Sequence, residues 1–220
     1  MEVKPIEGIV HIPVKQVELE GELIIPLEAK GIVLFAHGSG SSRLSPRNQF
    51  VARSLREHQL GTLLIGLLTS EEEKIDLVTR EIRFDIELLA DRLLDITHWL
   101  LKDPRTQFLP IGYFGSSTGA AAALIAAAKM GPAISAVVSR GGRPDLAIRS
   151  LFQIKAPTLL IVGGADPVVI DLNQYAYDLL PGTKKLEVVP GATHLFEEPD
   201  ALEKVAHLAG NWFLQYLSKS

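Results

Sequence analysis

A serine hydroxyl attacks a carbonyl only when it is lifted clear of its neighbours and handed to a base. Gly115-Ser116-Ser117-Thr118-Gly119 reads G-x-S-x-G between an apolar run, Phe108 to Phe114, and an alanine-rich stretch, Ala120 to Met130. That is a strand-turn-helix context, in which small residues let the chain fold sharply and hold the central serine in a strained conformation. Ser117 is the candidate nucleophile. The plainer alternative is a loop of hydroxyl residues that caps the following helix.

Such a serine needs an imidazole within reach. Of six histidines, His194 in Gly191-Ala192-Thr193-His194 lies just past a strand-like run, Lys185 to Val189, and before the last helical stretch. His11 sits in the N-terminal segment, His58 and His207 fall on amphipathic helical stretches and His98 near the end of another, where surface or packing roles suit them. The base must in turn be oriented by an acid. Two candidates follow strand-like runs: Asp166 in Gly163-Gly164-Ala165-Asp166-Pro167, and Asp145 in Arg140-Gly141-Gly142-Arg143-Pro144-Asp145. The bland reading of Asp166 is a turn residue before proline.

Acyl transfer also needs donors for the developing oxyanion. His37-Gly38-Ser39-Gly40 follows the apolar run Gly31 to Ala36, and the backbone amides of Ser39 and Thr118 are the expected donors, with His37 bracing the loop. As a phosphate cradle this stretch lacks the Lys-Ser/Thr ending of a P-loop and the full dinucleotide fingerprint.

These residues require a scaffold that presents strand ends together. Val14 to Ile25 alternates apolar and polar residues around Gly21, which predicts a half-exposed antiparallel hairpin. Beyond it, Gly31 to Ala36, Leu60 to Leu68, Phe108 to Phe114, Ile134 to Ser139, Thr158 to Val162 and Lys185 to Val189 are short continuous apolar runs, as expected of strands buried on both faces. Helices are predicted over Pro46 to His58, from Glu72 or Thr79 to Leu101, and over Thr118 to Met130, Val169 to Leu180 and Pro199 to Leu217. Alternating strand and helix predicts an α/β domain with a mostly parallel, twisted sheet covered on both faces. Ligands bind such sheets outside the carboxyl ends of the strands, where each candidate above lies. The short connection from Gly141 to Ala156 leaves little chain for a cap domain, and one domain is expected over residues 1–220.

With 220 residues, 47% of them hydrophobic, 18 glycines and a net charge of −4, the composition is that of an ordinary globular protein. The charge argues against a nucleic-acid or anionic-membrane partner. No cysteine is present, which excludes disulfides, Cys-based metal sites and a thiol nucleophile. No run approaches the roughly 20 apolar residues of a membrane span, and Met1 to Val10 does not read as a signal peptide. A cytoplasmic protein, monomeric or homodimeric, with no metal or cofactor, is the expectation.

Together, His37-Gly38-Ser39-Gly40-Ser41-Ser42, Gly112-Tyr113-Phe114-Gly115-Ser116-Ser117-Thr118-Gly119, Ser139-Arg140-Gly141-Gly142-Arg143-Pro144-Asp145 and Val189-Pro190-Gly191-Ala192-Thr193-His194-Leu195-Phe196 resemble an α/β-hydrolase of the dienelactone-hydrolase-like group, from about Gly31 to the C-terminus. The resemblance implies the chain order Ser, Asp, His, with the acid on the penultimate strand, and so favours Asp166 over Asp145. Two departures stand out. Dienelactone hydrolases proper use a cysteine nucleophile, so their lactone substrate is not carried over. Gly66 ends its strand where the resemblance implies an aspartate. The function expected is a serine hydrolase acting on a small-molecule ester or related acyl compound. An acyltransferase or thioesterase with the same triad, or a non-catalytic binding protein on this fold, are the alternatives. Arg43, Arg140 and Arg143, with Arg47 nearby, fall on or near loops expected to rim the site, where guanidinium groups suit a substrate carboxylate or phosphate; pairing with Asp145 and other acids is the plainer reading.

Overall fold

The computed structural model describes residues 5–37 and 43–218. Eight strands form one sheet in the order β1-β2-β4-β3-β5-β6-β7-β8. They are β1 (Ile6–Val14), β2 (Val17–Ile25), β3 (Gly31–Ala36), β4 (Leu60–Ile65), β5 (Ile111–Ser116), β6 (Ile134–Arg140), β7 (Thr158–Gly163) and β8 (Lys184–Val189). From β4 to β8 every neighbouring pair is parallel, whereas β1 and β2 form an antiparallel hairpin and β2 meets β4 antiparallel. Strands β3, β4, β5 and β7 are buried at every residue, as their continuous apolar sequences require of strands covered on both faces.

The covering helices are α1 (Pro46–Glu57), α2 (Ser70–Thr79), α3 (Ile86–Leu100), α4 (Thr118–Met130), α5 (Pro167–Leu179) and α6 (Ala201–Leu217). On one face Val33, Phe35, Phe114 and Val138 pack with Val51 and Leu55 of α1 and Val205 and Phe213 of α6. On the other, Leu34, Tyr113 and Val137 pack with Leu93 and Ile96 of α3 and with Ala123 and Leu124 of α4. Helix α4 is buried at every residue from Thr118 to Ala127 and emerges only in its last three residues. Its alanines let it lie close to the sheet and to α3 at once.

Three expectations need correction. The hairpin does not turn at Gly21: β1 runs from Ile6, and the turn falls at Lys15 and Gln16, with Lys15 at φ 51°. Gly21 is mid-strand, opposite Val10, and a Cβ there would lie 2.9 Å from Leu63 Cδ1 of β4. Its glycine serves close strand contact and not a turn. The stretch from Leu60 to Leu68 is strand only to Ile65. The long helix ending near Leu101 is two helices. Arg80 takes the left-handed conformation that stops α2, and Asp85 starts α3 by accepting from the Leu88 amide at 3.1 Å. Between them buried Asp76 accepts from the Arg83 amide and Nε at 2.9 and 2.6 Å. Helix α2 is also held to α3 by Arg92, which donates to both oxygens of Glu72 at 2.6 Å and to the Leu67 carbonyl at 2.7 Å.

Candidate active site

Ser117 joins β5 to α4 at φ 50°, ψ −123°. Arg80 and Asp200 also have positive φ, but with ψ near zero, in the left-handed region that non-glycine residues sometimes visit. The Ser117 conformation lies outside it, and Gly131 takes the same geometry at φ 56°, ψ −125°. Holding a serine there costs on the order of 1–3 kcal/mol. Sterics around the turn explain the motif. A Cβ on Gly115 would lie 2.4 Å from Ala120 Cα, and one on Gly119 would lie 2.3 Å from the Ala36 carbonyl oxygen. Only glycine lets the turn close against its own helix and against β3.

The elbow is fixed by its backbone. The Ser117 amide donates to the Arg140 carbonyl at 3.3 Å, and the Ser117 carbonyl accepts from the Arg143 and Ala120 amides at 3.2 and 3.1 Å. Ser117 is partly exposed, whereas Ser116 is buried. Thr118 opens α4, so its N–H has no intrahelical acceptor and carries the positive end of the helix dipole. Ser39, the other expected oxyanion donor, lies outside the described residues.

Asp166 follows β7 and His194 follows β8, in loops that are themselves bonded together. The Gly164 and Ala165 amides donate to the Val189 and Ala192 carbonyls at 2.8 and 2.9 Å. A Cβ on Gly163 would stand 2.3 Å from the Ala192 carbonyl oxygen, so glycine there allows the two loops to touch. Across this contact His194 Nδ1 lies 2.9 Å from Asp166 Oδ2. A carboxylate oxygen accepts, so Nδ1 carries the proton and Nε2 keeps its lone pair. Asp166 begins α5 but makes no side-chain cap; its carboxylate goes to the imidazole. Asp145 is instead paired with Arg143, which donates from Nε and Nη2 at 2.9 and 2.8 Å. The imidazole reaches the elbow's neighbourhood: a Cβ on Gly141, next to the residue that accepts from Ser117, would lie 3.6 Å from His194 Cε1.

The arginines divide. Arg43 donates to Glu20, Arg47 to Glu197 at 2.7 Å, and Arg143 to Asp145. Arg140, at the end of β6, is buried, with its guanidinium carbon 5.9 Å from the Phe196 ring centre. Burial and the charge of Arg47 lower its pKa to about 10. A groove of about 420 Å³ lies past the end of β4, between the hairpin and the start of α2, lined by Gly66, Leu68, Glu73 and Arg43 among others. A Cβ on Gly66 would make only ordinary contacts, 3.6 Å from the Leu68 carbonyl and 3.8 Å from Glu73 Oε1. A carboxylate there would face Glu73, whose own pKa burial already raises.

His37 is buried after β3, with Nδ1 2.6 Å from Asn48 Nδ2 of α1. Burial, aided by the Arg140 charge, lowers its pKa to about 3. The imidazole is therefore neutral in the native state, whereas in the unfolded chain it takes a proton near pH 6.5. Between these values the unfolded state binds the extra proton, so stability falls as pH drops below about 6.5, by up to ~1.4 kcal/mol per unit, until pH reaches about 3. The slope of unfolding free energy between pH 6.5 and 5, before most carboxylates titrate, is expected to be flatter in His37→Gln than in the wild type. Parallel urea-denaturation profiles for the two proteins would show His37 to be titrating normally in the native state.

Among the described residues no group of three or more His, Asp or Glu side chains is placed to hold a metal ion, and no helix is long and apolar enough to cross a membrane.

Residues 67–217 match the model of the dienelactone hydrolase family. A crystal structure described as dienelactone hydrolase from Anabaena variabilis is 58% identical, covers 98% of this chain and 100% of its own, and superposes with a TM-score of 0.95. Est1E from Butyrivibrio proteoclasticus, 15% identical over 96% of this chain and 100% of its own, shares the fold at a TM-score of 0.81. A protein of Mycobacterium tuberculosis named putative phosphoribosyl transferase is 57% identical over 208 residues, which are 94% of this chain and 46% of that protein. The chain thus spans about half the length of that curated relative. It belongs to the dienelactone hydrolase family and has the α/β-hydrolase fold.

Proposed function

We propose that this member of the family is a cofactor-independent serine hydrolase that cleaves a small-molecule ester through an acyl-enzyme. The observation that carries the reading is Ser117 held at φ 50°, ψ −123° at the end of β5, at the same edge of the sheet as an imidazole whose Nδ1 is bonded to Asp166. A protein that only binds has no use for a serine in a glycine conformation, and the strain argues for a reacting hydroxyl.

In this reading His194 Nε2 removes the Ser117 hydroxyl proton as Oγ attacks the ester carbonyl, and Asp166 stabilises the imidazolium that forms. The tetrahedral oxyanion accepts hydrogen bonds from the amides of Thr118 and Ser39. The imidazolium then protonates the departing alkoxide, leaving Ser117 acylated. A water, deprotonated by His194, attacks the acyl carbonyl; collapse of the second tetrahedral intermediate expels Ser117 Oγ, which regains its proton. The chain has no cysteine to serve as nucleophile. Transfer to an alcohol or thiol acceptor would follow the same first half-reaction, and the ratio of transfer to hydrolysis in added acceptor measures it.

The test is labelling with a fluorophosphonate, which phosphonylates only activated serines, followed by peptide mass mapping. The label is expected on Ser117 alone. Labelling of Ser116, or no labelling under conditions that modify a known serine esterase, would overturn the assignment.

A further inference from the structure

Among the described residues β8 ends the sheet and pairs with β7 alone. The carbonyls of Thr183 and Val189 accept from the Thr158 and Gly164 amides on the β7 side. Backbone groups alternate in direction along a strand, so those of Lys184, Leu186 and Val188 turn away from β7 toward the open edge. Each of these residues has both an N–H and a carbonyl, which makes the edge a template for a further strand. The other edge of the sheet is blunted, since β1 includes Pro13, which has no N–H. Charges that repel a second strand commonly guard such edges, but those of β8 are already engaged. Lys184 folds back, its Nζ donating to the Tyr177 and Leu180 carbonyls at the end of α5, both at 2.6 Å. Lys185 and Glu187 share one face of the strand and form an ion pair at 2.6 Å, with Lys185 exposed.

The sequence of β8 complements itself. Two antiparallel copies related by a two-fold axis through Leu186 set Leu186 opposite Leu186, Lys184 opposite Val188 and Lys185 opposite Glu187. The outward backbone groups of Lys184, Leu186 and Val188 then meet as hydrogen-bonded pairs, and Lys185 and Glu187 fall at the non-hydrogen-bonded pairs, where opposed Cα atoms are about 4.5 Å apart and side chains are closest. Symmetry makes the contact twice, a base of one copy against an acid of the other each time. Moving the axis by one residue sets Lys185 against Lys185 or Glu187 against Glu187, which like-charge repulsion disfavours. Apolar surface lies on both sides of this edge. Between β8 and α6 is a groove of about 240 Å³, lined by Leu159, Lys185, Leu208, Trp212 and Tyr216 among others, and on the α5 side Val188 is 44% exposed. We propose that the chain forms a two-fold homodimer by antiparallel pairing of β8, which joins the two sheets into one, with the ion pairs between Lys185 and Glu187 fixing the register. This does not depend on the ester-hydrolase reading above.

Sedimentation equilibrium combined with charge reversal tests it. The wild type is expected to be a dimer that dissociates on dilution. Lys185→Glu and Glu187→Lys each set like charges opposite one another across the axis, and each is expected to weaken association by about tenfold or more. The double variant restores opposite charges and is expected to recover the wild-type affinity. Thermal melting by circular dichroism separates lost pairing from lost folding. A second measurement uses the absence of cysteine from the chain. Leu186→Cys supplies a single thiol, which is expected to oxidise to a disulfide-linked dimer, because opposed Cα atoms in a hydrogen-bonded pair lie about 5.5 Å apart, within disulfide range. Ile9→Cys, at an exposed position of β1, is the control expected to stay unlinked. A wild type that remains monomeric at high micromolar concentration would overturn the pairing and leave the edge to a strand of another protein. So would a dimer that both charge reversals leave unchanged, or crosslinking no faster through residue 186 than through residue 9.

Discussion

Replacing Ser117 with alanine is expected to lower kcat for p-nitrophenyl acetate by about a million-fold, the scale seen when a triad serine is removed from a protease, with little change in thermal stability. Alanine keeps the Cβ and therefore the strain at φ 50°, ψ −123°, so the fold loses only a partly exposed hydroxyl. Ser117→Gly separates strain from chemistry. It is expected to be equally inactive but more stable, by roughly 1 kcal/mol, because glycine adopts this backbone freely, as Gly131 does. Ser116→Ala removes a buried hydroxyl one residue away and is expected to retain substantial turnover. If Ser117→Ala retained more than a few per cent of the wild-type rate, the hydroxyl would not be the nucleophile.

The elbow was legible because its requirements are local: two glycines, small flanking residues and an apolar strand before them. The parallel core was legible for a similar reason, since β3 and β7 are buried at every position and read as unbroken apolar runs. The edge of the sheet was harder. Residues 6–9 of β1 include no buried position, and the alternation of exposed and buried positions begins only at residue 9 and is interrupted in sequence by Pro13, a weak strand signal, while Gly21 mimics a turn although it serves close packing against Leu63. The break between α2 and α3 depends on Asp76 reaching Arg83 seven residues away, a contact that helical periodicity does not reveal.

The arginines show the same limit at the site. Four of them fall near the strand ends in sequence, with nothing there to tell a spent charge from a free one. The Arg143 partner lies two residues along, but Arg43 reaches Glu20 on β2 and Arg47 reaches Glu197 past β8. These pairings follow from the strand order, which sets the N-terminus of α1 between the hairpin and the histidine loop. Arg140 is distinguished only by what surrounds it: the sheet on one side, Phe196 on the other and no acid among the described residues.

Asp166→Asn is expected to reduce turnover by about four orders of magnitude, by analogy with the serine-protease triad, and Asp145→Asn by no more than a few-fold. The asymmetry follows from the partners. Asp166 Oδ2 accepts from His194 Nδ1, which leaves Nε2 unprotonated and able to take a proton from Ser117. An asparagine amide can turn its Nδ2 toward Nδ1 and donate, which moves the imidazole proton to Nε2 and removes the base. It also withdraws the negative charge that stabilises the imidazolium in the transition state. Asp145, by contrast, is bonded to a partly exposed Arg143, and an ion pair of that kind contributes about 0–1 kcal/mol to stability. Both variants are expected to fold, and kcat/KM for p-nitrophenyl acetate together with the rate of fluorophosphonate labelling would rank them. A large loss in Asp145→Asn with near-normal Asp166→Asn would assign the orienting acid to the loop after β6 and leave the Asp166 contact a structural one.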